Sequence, residues 1–144
     1  MEDRFKVNEP PEIHPKIFGD INLFCKNQPI ERSSFVIGDI NYILIPSPSK
    51  TDQGEINGQP AEYHQSQNEW AIYIWEDLPE NIQRVLLFHE IIEIYLRNKF
   101  GMETTTAHNA TLPYESCFKN EIIFKENERN ILEDLRDKYS VKKF

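Results

Sequence analysis

His89, Glu90 and Glu93 stand in the run Leu86-Leu87-Phe88-His89-Glu90-Ile91-Ile92-Glu93-Ile94-Tyr95-Leu96, which is otherwise almost wholly apolar. A helix of this composition is buried on nearly all sides. Ionisable groups in such a place are costly unless they are paired or bound to metal. His89 and Glu93 are four apart, so on a helix they point the same way, with Cβ atoms about 6 Å apart. A zinc ion with bonds of about 2.0–2.2 Å can bridge two such side chains. The third ligand must come from elsewhere, and His108 is available after Gly101. Two imidazoles and a carboxylate, with water at the open position, are the donor set of a hydrolytic zinc site. Glu90 lies about 100° round the helix from His89. It is the candidate base that takes a proton from that water during attack on a carbonyl.

The segment His89-Glu90-Ile91-Ile92-Glu93 resembles the HExxH signature of zincin metallopeptidases, with Glu93 in the place of the second histidine. The likeness spans roughly residues 70–118. Compact bacterial zincins place a strand and a turn before the active-site helix, and residues 70–75 and 77–80 occupy those places. Gluzincins have the ligand order His, His, Glu, whereas this chain would have His89, Glu93, His108. Gly101-Met102 and Ala107-His108 are also similar to a pattern in uncharacterised bacterial and phage proteins. The resemblance implies a zincin-like α+β fold, a Zn2+ cofactor and a peptide or protein substrate. Its chemistry would be hydrolysis of an amide by water that Glu90 activates. An edge strand at 70–75 would hold an extended peptide by β-augmentation.

Two further residues belong to this constellation. Glu115, seven after His108, is a candidate acceptor for a histidine N–H or a fourth ligand. Tyr114 is a candidate hydrogen-bond donor to an oxyanion. Other chemistries remain open on the residues alone. His89 and Glu93 can be a hydrogen-bonded core pair. The same three donors match a non-haem iron triad, although no HxD pair is present. A non-enzymatic adaptor or regulatory domain with a structural metal site is the remaining alternative. His14, next to Pro15, and His64 are expected to be plain surface or strand residues.

The elements that must position these groups are legible in outline. Residues 33–37 and 40–45 are rich in β-branched and aromatic side chains. Gly38-Asp39 between them suits a type II′ hairpin turn. Residues 46–60, with Pro46, Pro48, Gly54, Gly58 and Pro60, form a long polar loop of the kind that is mobile or a lid. Residues 61–65 and 69–75 read as two more strands. Asp77 and Glu80 resemble a capping box ahead of a helix from Ile82 to Phe100, ended by Gly101. A short helix is expected from Thr104 to Ala110, broken by Pro113, and a third over 114–139. Within it, residues 126–129 read as a solvated face. Residues 1–19, with Pro10, Pro11 and Pro15, read as an irregular arm, and residues 21–24 as a short strand or helical turn.

The expected architecture is therefore a small antiparallel or mixed sheet packed on a central metal-site helix with two C-terminal helices. The 144 residues suit a single domain, 1–144. A net charge of −8 argues against a nucleic-acid binder or an anionic membrane surface as partner. Cys25 and Cys117 form no CxxC pair, and the N-terminus lacks a signal-peptide pattern. A cytoplasmic protein with reduced thiols is the expectation.

Overall fold

A computed structural model describes residues 12–139. It is an α+β fold with a four-stranded mixed sheet and four helices among those residues. In chain order the elements are α1 (Pro15–Asn27), β1 (Ser33–Ile37), β2 (Ile40–Ser47), β3 (Ala61–Ser66), β4 (Glu69–Trp75), α2 (Glu80–Phe100), α3 (Thr104–Asn120) and α4 (Glu128–Tyr139). The strand order is β1-β2-β4-β3. β2 runs parallel to β4, and the other two pairings are antiparallel.

α2 is the axis of the molecule. Every residue from Ile82 to Leu96 is buried. The sheet covers it from one side through Tyr42, Leu44, Ile72 and Ile74, all of them 1% exposed or less. α1, α3 and α4 contribute Ile21, Phe118 and Leu132 to the same core. Phe88 of α2 stacks on Phe118 with ring centres 4.3 Å apart. At the C-terminus Gly101 adopts the left-handed conformation (φ 68°) and donates its N–H to the Arg97 carbonyl, as a glycine cap does. At the N-terminus the expected capping box is absent. Pro79 is the cap residue, and Asp77 instead accepts from Ser49 Oγ at 2.6 Å.

Several expectations need correction. Residues 15–19 are not irregular: they open α1, with Pro15 in the first turn, where its missing N–H costs nothing. Ile17, Ile21 and Cys25 recur every four residues and face the core, so residues 21–24 are also helical. His14 caps this helix, accepting from the Lys16 N–H. The rest of the proposed arm, 1–11, lies outside the described residues. The Gly38-Asp39 turn has positive φ at both residues, 60° and 66°, which is type I′ rather than II′. Strand β4 is not an edge: β2 and β3 flank it, and the outer strands are β1 and β3.

Loop 48–60 is laced to itself and to the sheet. Lys50 bridges Ile56, Asn57 N–H donates to the Ser49 carbonyl, and Trp75 Nε1 donates to the Asn57 carbonyl at 2.7 Å. The C-terminal helices also divide differently. α3 runs through Pro113, because the carbonyl that the proline leaves without a donor belongs to exposed Asn109. α3 ends at Asn120, and Asn127, with φ 73°, redirects the chain into α4. Glu128, expected on a solvated face, is buried and accepts from the Lys125 N–H and from Asn81.

Gly38 carries a tight constraint. A Cβ there would lie 2.8 Å from Tyr95 Cε1 on α2, at a φ that L side chains avoid. Gly38→Ala is expected to cost about 1–3 kcal/mol in urea unfolding. An unchanged midpoint would mean that the hairpin turn does not press on α2.

Candidate metal centre

α2 supplies His89 and Glu93, and α3 supplies His108 and Glu115. The continuity of α3 through Pro113 is what puts the last two on one face, two turns apart. His89 and Glu93 are fully buried, and His108 and Glu115 nearly so. Nε2 of His89 lies 3.0 Å from Glu93 Oε1 and 3.0 Å from His108 Nδ1. His108 Nδ1 lies 3.2 Å from the same Glu93 oxygen. Three donor atoms from three side chains thus form a closed, nearly equilateral triangle. On the far side of the ring, His89 Nδ1 lies 2.6 Å from Glu115 Oε1.

This arrangement fixes where the proton of His89 must be. The Glu115 carboxyl is held down to about 2: burial pushes it up, but His89, then Arg136 and Lys119, more than reverse that. An ionised carboxylate only accepts, so His89 Nδ1 carries the hydrogen. A neutral ring then presents its Nε2 lone pair to a carboxylate oxygen and to another imidazole nitrogen. That contact is repulsive unless a hydrogen bond, such as one donated by His108 Nδ1, or a cation occupies it. A second proton, making imidazolium, is one solution. Burial pushes the His89 pKa down, but hydrogen bonds to Glu115 and Glu93 outweigh this and raise it above the ordinary value. A metal ion is another solution, since all three atoms are ligand types with lone pairs that can converge.

The donor set passes a test of size. A tetrahedral zinc ion with bonds of about 2.0–2.2 Å holds its ligand atoms about 3.3–3.6 Å apart. The triangle has edges of 3.0, 3.0 and 3.2 Å, so it needs to open by only a few tenths of an ångström. His89, Glu93 and His108 therefore form a group that could hold a metal ion. Glu115 is not in that group. It takes the position of the carboxylate that orients a ligating histidine through its other nitrogen. Arg136 of α4 donates to Glu115 Oε1, and Lys119 Nζ lies 3.9 Å from Oε2.

Glu90 is 2% exposed and faces another way. With His108 it lines a cavity of about 30 Å³, together with Gln59, Pro60, Ala61, Leu86 and the α4 residues Leu135, Arg136 and Tyr139. That is room for a water or two. Its charge is close enough to His89 to help raise the imidazole pKa. The oxyanion candidate Tyr114 is placed elsewhere: its hydroxyl accepts from the Ile13 N–H and its ring packs on Phe18. His64 is exposed beside Glu62, as a strand residue facing outward.

Two participants carried no sequence signal. Tyr63 of β3 donates to Glu93 Oε2 at 2.5 Å. Burial and then the Glu93 carboxylate push its pKa up, so the phenol remains a donor. Arg136 lies 21 residues from Glu115 and reaches it only because α4 folds back. No helix among the described residues is long and apolar enough to cross a membrane. Comparison with protein-family models, curated proteins and solved structures gives no match to this chain.

The alternative cations give opposite pH dependences. In metal-free protein, the ion pairs of His89 are fully stabilising below its unfolded value of 6.5 and are lost as pH rises through the higher folded value. Glu115, at about 2, stays ionised throughout. Melting temperature without metal should therefore fall as pH rises above 6.5 through the raised folded-state value of His89. With zinc added it should hold or rise, because the ion competes with the proton and binds better as pH increases. Identical pH profiles with and without metal would contradict this.

Proposed function

We propose that the chain is a metal-dependent hydrolase resembling the zincin peptidases, with zinc held by His89, Glu93 and His108 and with Glu90 as the base. The observation that carries this is the triangle of donor atoms at 3.0, 3.0 and 3.2 Å, backed by Glu115 on the far nitrogen of His89. Two imidazoles and a carboxylate with a water-sized space beside them suit zinc in a hydrolytic role. A zinc ion held there would supply Lewis acidity, polarising a carbonyl and making a nearby water more acidic. Glu90 shares its cavity with His108, so its carboxylate is available to take a proton from a water in that cavity.

The substrate class follows from the sheet edge. Among the described residues β3 is an outer strand of the sheet, and Ala61 at its start lines the cavity together with Pro60. An extended peptide paired to β3 would run past Glu90 and His108. The C-terminal turn of α4 roofs that route through Leu135, Arg136 and Tyr139, with Tyr139 edge-on to Trp75. The same roof supports a second reading, a closed structural metal centre in a non-enzymatic domain. Ligands that are all 3% exposed or less suit it.

Glu90→Gln separates the two. On a panel of quenched fluorescent peptides, hydrolysis should fall by at least about 100-fold while zinc content stays at the wild-type level. Unchanged hydrolysis would remove Glu90 from the mechanism. A wild-type chain that loses melting temperature on chelation yet cleaves no peptide or ester would favour the structural reading.

A further inference from the structure

The two oxygens of Glu93 have different partners. Oε1 faces His89 and His108. Oε2 accepts from the Tyr63 hydroxyl at 2.5 Å. Tyr63 belongs to β3, outside the two helices that carry the three donors. Behind it, Arg97 Nη1 donates to the phenol oxygen at 3.3 Å. Arg97 follows Glu93 by four residues on α2, so both lie on one helix face and Tyr63 bridges them. The Arg97 guanidinium carbon is 5.6 Å from the ring centre of Tyr63 and 5.6 Å from that of Trp70. These cation–π contacts hold the guanidinium against the two rings. A hydroxyl that accepts from a cation is polarised and donates more strongly in turn.

A carboxylate free to turn can offer a metal both oxygens. One whose second oxygen is engaged by a buried phenol offers one. We propose that Tyr63, backed by Arg97, is a positioning residue of the metal centre that holds Glu93 as a one-oxygen ligand and so keeps a coordination position open. The inference rests on the metal-centre reading. It assigns to the edge strand β3 a part in setting the coordination number of a site built on α2 and α3.

The test uses the full chain, stripped of metal, as wild type, Tyr63→Phe and Arg97→Gln. Each is titrated with Co2+, whose visible absorption is strong when tetrahedral and weak at higher coordination. Zinc affinity is measured by competition with a chromophoric chelator. Tyr63→Phe should weaken the cobalt band and lower zinc affinity by about 10–100-fold. Arg97→Gln should move both in the same direction by less. A role in packing alone would lower the metal-free melting temperature and leave the cobalt spectrum and zinc affinity as in wild type, and that result overturns the proposal. Should Tyr63→Phe fail to fold, Arg97→Gln decides: a wild-type spectrum and affinity there also overturn it. A wild-type chain that takes up neither ion removes the metal centre itself, and the role of Tyr63 falls with it.

Discussion

A carboxylate demands a hydrogen on whatever nitrogen it faces, and Glu115 faces Nδ1 of His89 at 2.6 Å. The other nitrogen is then left to meet Glu93 and His108 in the interior, where His89 is fully buried. A hydrogen on His108 Nδ1, a second proton on His89 or a metal ion relieves that contact. The arrangement is therefore a site whose lone pairs need a hydrogen or a metal ion between them. Three donors in a closed triangle suit a metal, since one ion can meet all three atoms at once.

The surrounding structure holds this centre in place. α2 carries two donors in its most buried stretch, with the sheet on one side and three helices around it. α3 brings His108 and Glu115 as one rigid face. α4 closes the assembly through Arg136, which donates to Glu115, and through Tyr139, which packs on Trp75. β3 contributes Tyr63 from the opposite side. Arg84 of α2 ties in α1 by donating to the carbonyls of Cys25 and Gln28 at that helix's C-terminal end. Burying so many ionisable groups is unfavourable unless each is met by an opposite charge or a hydrogen bond. Here the partners come from four elements, so the centre also links those elements to one another.

Much of the centre was legible because helical spacing is local. His89 and Glu93 at four residues, within an apolar run, identify themselves, and Gly101 marks the end of α2. His108 was within reach because only a short turn separates the helices. Glu115 was visible as a candidate, but its role depended on Pro113, and the exposure of Asn109 that makes the proline harmless is a tertiary fact. α1 was hidden by the prolines before it, although Ile17, Ile21 and Cys25 do carry the four-residue period. The sheet order was not legible, because strand pairing is set by packing over long separations. The hydrophobic strand 70–75 was therefore open to being read as an edge, whereas it lies between β2 and β3. Tyr63 and Arg136 gave no signal, since their partners lie 30 and 21 residues away in sequence.

What lies between His89, Glu93 and His108 gives the account its most direct test. Crystals of the chain grown with zinc, measured on both sides of the zinc absorption edge, would locate the ion. The account predicts one anomalous peak bonded to His89 Nε2, Glu93 Oε1 and His108 Nδ1, with Glu115 still on His89 Nδ1. A map with no peak among those three atoms would contradict it.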